Sequence, residues 1–230
     1  MNAGFKTVVK EVKKLNPSIE VALMEYGKMW NEGATDPLPS YRSTLSAACL
    51  VFELYNSGFA GTQRWAFSPL YHHFQGFGVI TVEGVSFAFP ATEVTQESVT
   101  PVIAAMLQGA KIIKVPHTFE PQRLVNTNLQ RGAKVYQTTV IDPTAPGKGV
   151  CAIAAETPEG KLRVGLINLY PSVVDVSLTF KKHVGSGRFH WDYYDDSLPL
   201  QIIHKEFAGS PNDDRANVQL SPHSLNFLVE

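Results

Sequence analysis

Glu25 has the strongest claim to chemistry in this chain, because of what surrounds it. Val21-Ala22-Leu23-Met24 runs without a polar residue into Glu25-Tyr26-Gly27. An apolar run without alternation is what a strand covered on both faces requires, as in a parallel α/β sheet. Barrels and open sheets of that class place their chemistry at the carboxyl ends of the strands, and Glu25 puts a carboxylate there. Gly27 then lets the backbone turn away and keeps the rim open. A surface carboxylate at a strand end is the other reading of the same residues. A second buried strand is read over residues 61–68, Gly-Thr-Gln-Arg-Trp-Ala-Phe-Ser, which carries Trp65.

The elements that must hold these residues follow from periodicity. Phe5, Val8, Val9, Val12 and Leu15 recur at helical spacing over residues 3–15, with lysines on the other side. Asn16-Pro17 ends this helix, and the strand toward Glu25 follows directly. Asp-Pro and Leu-Pro steps mark residues 28–40 as a loop. Over residues 41–56, Tyr41, Leu45, Ala48, Cys49, Phe52 and Tyr55 share one helical face, and Ser57-Gly58 closes the helix. Strand, helix, strand in this order calls for a right-handed crossover, so the two strands are expected to be parallel neighbours. A loop rich in Tyr, His and Gly follows Trp65, and residues 79–89 read as a hairpin turning at Glu83-Gly84. Thr95 is a suitable N-cap for a helix ending at Leu107, with Gly109 past its end.

Beyond residue 110 the pattern changes to short alternating runs, over residues 111–115, 133–141, 150–156, 162–169, 174–180, 187–194, 201–207, 218–220 and 224–229. Thr157-Pro158-Glu159-Gly160 between two of them is a hairpin signal. A series of strands with no helix among them indicates an antiparallel β-sandwich. The expected fold class is therefore α/β plus all-β. Residues 1–109 form the βα part and residues 110–230 the sandwich, packed together across a change of period instead of a flexible linker.

Composition excludes several function classes. With 20 basic against 21 acidic residues and no basic block, nucleic acid and anionic membrane are not expected partners. No apolar run reaches the length of a membrane span, and the first residues lack the basic-then-apolar layout of a secretion signal. The compartment stays open. Cys49 and Cys151 fall in different parts of the chain, so neither a disulfide nor a metal site is expected, and Cys49 reads as core packing. Asp192, Asp195, Asp196, Asp213 and Asp214 match no calcium-loop spacing and read as solvated turns. No nucleophile elbow and no phosphate-binding glycine loop occurs, and no cofactor is expected.

In this order the pieces resemble the C-terminal part of a retaining glycoside hydrolase of the large clan built on the eight-fold βα barrel. The likeness is to members that append a β-sandwich, such as β-xylosidases and arabinofuranosidases. Leu23-Met24-Glu25-Tyr26-Gly27 is similar to the clan's seventh strand, and Arg64-Trp65-Ala66-Phe67 to its eighth, with a substrate-facing Trp. Residues 160–170 and 220–229 look like sandwich strands of those enzymes. The clan's first six strands, including the fourth with its acid/base glutamate, have no counterpart in the sequence. Two parallel strands cannot close a barrel.

The resemblance implies that residues 1–109 are the last βα units of such a barrel and that Glu25 is the nucleophile. Retaining hydrolysis needs two carboxyl groups roughly 5–5.5 Å apart, one attacking and one protonating the leaving oxygen. Trp65 would offer an apolar platform to a sugar ring, and Tyr26, Trp30, His72 and His73 would border the same cleft. Asn31-Glu32 looks like the clan's acid/base pair but follows the wrong strand, and Glu32 reads as a surface group. The implied partners are a carbohydrate and the missing N-terminal segment of the same enzyme, without which the chain is expected to be inactive. The alternative is a non-catalytic carbohydrate-binding or scaffold module, for which an exposed aromatic row on the sandwich would speak. Tyr193 and Tyr194, being neighbours, point to opposite faces of a strand and do not make one.

Overall fold

The computed structural model describes residues 3–26, 37–64, 80–82, 112–114, 116–141, 149–180, 189–197, 203–207 and 215–230. The first helix, α1 (Ala3–Leu15), lies where the periodicity puts it. Asn16 stops it: its side-chain carbonyl accepts the Ser18 backbone N–H at 3.0 Å and the Ser18 hydroxyl at 2.7 Å, a local turn that competes with the helix. Only part of the apolar set on α1 faces inward. Phe5 and Val9 pack with Leu54 and Phe59, whereas Val8 is exposed and Leu15 is 87% exposed.

Strand β1 (Ala22–Tyr26) leads to helix α2 (Pro37–Asn56), and α2 leads to strand β2 (Gly61–Arg64). β1 and β2 pair in parallel, as the strand–helix–strand order requires. The helix begins four residues earlier than the sequence reading placed it. Pro37 and Pro39, read there as loop residues, stand in its first turn, where a missing N–H costs nothing. At the other end the Phe59 N–H bonds the Leu54 carbonyl at 3.1 Å and the Gly58 N–H bonds that of Tyr55 at 3.0 Å. This Schellman pattern satisfies carbonyls the helix leaves open.

Strand β3 (Ile80–Val82) pairs antiparallel with β4 (Ile112–Lys114). The expected hairpin through Glu83-Gly84 and the helix from Thr95 lie outside the described residues. β4 was expected to open the large β arrangement, and its described partner is β3 instead. A helix that the pattern did not reveal follows, α3 (Pro116–Asn128), packed beside α2. Its buried residues Pro121, Leu124, Val125 and Asn128 recur at helical spacing, but Pro121 in the second turn reads as a helix breaker.

The remaining strands are β5 (Lys134–Tyr136), β6 (Val150–Glu156), β7 (Leu162–Asn168), β8 (Val174–Thr179), β9 (Phe189–Tyr194), β10 (Ile203–Phe207), β11 (Arg215–Leu220) and β12 (Ser224–Val229). The expected runs at 133–141 and 218–220 become a shorter β5 and a longer β11. Six strands form one antiparallel sheet in the order β10-β9-β12-β7-β6-β5, and β8 and β11 form a second, two-stranded sheet. The β6–β7 turn is the predicted hairpin. Gly160 there has φ +81°, and its N–H bonds the Thr157 carbonyl at 2.9 Å, as in a turn closed by a left-handed residue.

The central strands β6, β7 and β12 of the large sheet are buried on both faces. Cys151, Ile153, Ile167, Tyr194, Leu225 and Phe227 meet Tyr41, Leu45 and Phe52 of α2 and Leu124 and Val125 of α3. On the opposite face Val150, Leu162, Val164, Leu166 and Leu228 meet Val218 and Leu220 of the second sheet. The two cysteines, expected to be apart, form a disulfide because α2 lies directly on β6; their Cα atoms are 5.7 Å apart.

Gly165, in the middle of β7, makes the seating of α2 possible. A Cβ there would come within 2.7 Å of Phe52, 2.8 Å of Phe227 and 2.9 Å of Ile153. We predict that Gly165→Ala destabilises the fold by about 1–3 kcal/mol, the usual range for overpacking. Urea unfolding followed by fluorescence checks it. An unchanged midpoint would mean that the rings can give way freely.

Candidate active site

The carboxyl end of β1 is irregular at the point where the sequence places its carboxylate. Ala22 pairs with Gly61 and Leu23 with Thr62, but the next partners are Tyr26 and Arg64. Three steps along β1 thus oppose two along β2, and Met24 and Glu25 occupy the extra length. Such bulges bend a strand and re-aim a side chain, and they are common beside active sites. Glu25 is one residue from the end of a parallel strand, and Trp65 is the next residue in sequence after the Arg64 that pairs with Tyr26. Of the residues singled out in the sequence, Glu25 and Tyr26 have described backbone positions. Trp30, Glu32, Trp65, His72 and His73 lie outside the described residues.

A second set of side chains fixes α2, the element that joins the two strands. Because α2 runs from the carboxyl end of β1 to the amino end of β2, its first half lies toward the candidate site in the chain path. Tyr41 there is fully buried, with its hydroxyl 2.8 Å from the Tyr194 carbonyl and 2.9 Å from the His223 carbonyl. Burial, then the carboxylates of Asp195 and Asp196 with Tyr194 beside them, hold the Tyr41 hydroxyl well above the usual tyrosine range. It therefore stays protonated and donates. Burial likewise pushes the Tyr194 hydroxyl up.

One helical step on, Arg42 lies 3.5 Å from an Asp196 oxygen that is also 3.0 Å from His223 Nδ1. His223 has φ 41°, a left-handed backbone unusual for a residue with a side chain. Asp195 is buried and accepts the Ser197 N–H at 3.0 Å. Asp195 and Asp196, read from the sequence as solvated, thus work as a turn former and as an ion-pair partner. Nothing local in the sequence signals this, since Tyr41 and His223 are separated by 182 residues. Among the described residues no group of His, Cys, Asp and Glu is arranged to hold a metal ion, and no helix is long and apolar enough to cross a membrane.

No family model matches the chain, and no curated protein sequence matches it. Solved structures do resemble it. The catalytic domain of the GH30 xylanase C from Talaromyces cellulolyticus superposes with a TM-score of 0.57 at 14% identity, covering 93% of this chain and 41% of that one. A GH30 endoxylanase from Clostridium papyrosolvens C71 gives 0.57 at 12% identity, covering 100% and 46%. The GH51 α-L-arabinofuranosidase from Thermotoga petrophila RKU-1 gives 0.58 at 10% identity, covering 99% and 49%. The chain thus has a fold found in glycoside hydrolases, and it spans less than half the length of each of these three chains.

Tyr41→Phe would remove the buried hydroxyl that reaches the Tyr194 and His223 carbonyls. We predict a loss of about 0.5–1.5 kcal/mol in stability, the net worth of a typical intramolecular hydrogen bond. Thermal unfolding of the variant reads it directly, and a stability equal to that of the parent chain would deny Tyr41 its anchoring role.

Proposed function

We propose that this chain is part of a retaining glycoside hydrolase acting on O-glycosidic bonds, with Glu25 as its nucleophile. The observation that carries the reading is the bulge that takes up Glu25 at the carboxyl end of a parallel strand pair, where barrel enzymes keep their chemistry. The fold shared with the xylanases and the arabinofuranosidase supports it. On this reading β1 and β2 are the last two strands of a βα barrel, with α2 crossing between them. Residues 1–109 are the barrel portion and residues 110–230 the β-sandwich that supports it, with α3 of the second part joining the helical layer beside α2.

The chemistry assigns an ionised Glu25 to attack at the anomeric carbon and a second, protonated carboxyl group to the leaving oxygen. Trp65, Tyr26, Trp30, His72 and His73 would border the sugar. The second carboxyl belongs, in this proposal, to a further N-terminal segment of the same enzyme. Two observations support that assignment. The chain spans 41–49% of the length of the three glycoside hydrolases. Val8 and Leu15 on α1, and Ile19 in the segment leading to β1, are exposed apolar residues of the kind a neighbouring unit covers.

The alternative of a non-catalytic carbohydrate-binding module is not favoured. Tyr193 and Tyr194 are buried, and Trp191, partly buried, packs at a tilt against Tyr193 with ring centroids 5.4 Å apart and donates its indole N–H to Asn226 Oδ1. These aromatics serve packing and do not form an exposed row.

Purified by itself, the chain is expected to turn over aryl glycosides at no useful rate, because loss of general-acid assistance alone removes a factor of about 10²–10⁴. Clear turnover that disappears in Glu25→Gln would keep the nucleophile and refute the need for a second segment. Turnover that survives Glu25→Gln would refute the nucleophile assignment itself.

A further inference from the structure

The disulfide between Cys49 and Cys151 joins helix α2 to strand β6. Cys49 stands on the buried face of α2, between Leu45 and Phe52, and Cys151 is the second residue of β6. They are 8% and 6% exposed, their Cα atoms are 5.7 Å apart, and 102 residues separate them in sequence. The Cα spacing is that of ordinary disulfides. α2 is the crossover between β1 and β2, so a bond from its middle to β6 ties the strand pair of the candidate site to the six-stranded sheet.

We propose that this bridge is a structural staple formed on folding, and that the stable form of the chain is the oxidised one. Its formation needs an oxidant of the low-molecular-weight disulfide class. One protein thiolate attacks that disulfide and releases one small thiol. The second protein thiolate then attacks the mixed disulfide, forms the Cys49–Cys151 bond and releases the other. The protein gives up two electrons and two protons, and the small disulfide becomes two thiols. Both sulfurs are covered by α2 on one side and the sheet on the other, so a reductant reaches them only when α2 lifts. This is the arrangement of a structural bridge and not of an exposed regulatory one. Disulfides of this kind belong to proteins that mature in oxidising surroundings. The proposal stands apart from the glycosidase reading, because its readouts are thiol content and stability.

The full chain, folded in the presence of oxidised glutathione, is denatured without reductant and alkylated, and its mass is measured. No alkyl group is expected, and two are expected after treatment with a dithiol. Reduction should lower the melting temperature by about 10 °C, from the closure entropy of a loop of this length and the usual slope for a chain of this size. Cys49→Ala/Cys151→Ala should melt with the reduced chain and ignore the dithiol. Should that variant fail to fold, the parent chain with and without dithiol still decides. Two alkylated thiols in the oxidatively folded chain would overturn the proposal, as would a melting temperature that stays put once both thiols are free.

Discussion

The contact between Phe52 and the bare backbone of Gly165 sets the distance between the helical layer and the large sheet. Phe52 on α2 and Phe227 on β12 meet edge to face, with ring centroids 6.0 Å apart and planes at 79°, over a position where β7 has no side chain. With the helix that close, Tyr41 can reach the Tyr194 and His223 carbonyls, and Asn56 at the other end donates to the Ala152 carbonyl at 2.8 Å. Each fully buried aromatic or aliphatic side chain in this layer contributes about 1.5–3 kcal/mol. The centre of the sheet is in turn covered from behind by β8 and β11.

Much of this arrangement was legible in the sequence where a single period ran long enough. The apolar face of α2 from Tyr41 to Phe52 is buried as its spacing required, and β6 and β12 begin and end where their alternation did. The Pro-Glu-Gly turn gave the β6–β7 hairpin. The parallel pairing of β1 and β2 followed from order alone. What failed did so for physical reasons. α3 hid behind Pro121, whose penalty is outweighed by packing of Leu124 and Val125 into the shared core. The start of α2 hid behind Pro37 and Pro39, which read alike as loop residues and as first-turn helix residues. The disulfide depends on how two layers stack, which no spacing of cysteines in one chain reveals.

For the candidate site, the sequence offers a pattern and not its surroundings. An acidic residue ending an apolar run pointed to Glu25, and the backbone register of β1 shifts across that residue. The anchoring set of Tyr41, Arg42, Asp196 and His223 could not be read, because it is assembled from residues at opposite ends of the chain. It links the beginning of α2 to the ends of β9 and β12. The position of β1 is thus inherited from α2, and that of α2 from the sheet.

Native-state hydrogen exchange tests this dependence most directly, by comparing amides of β7 at Val164–Ile167 with those of β1 at Ala22–Met24. The sheet, covered on both faces, should exchange only through global unfolding, while the two-stranded β1–β2 unit should open at lower cost and exchange faster. Equal protection in the two segments would contradict the account, for it would mean that the strand pair carrying Glu25 is as complete in itself as the sheet beneath it.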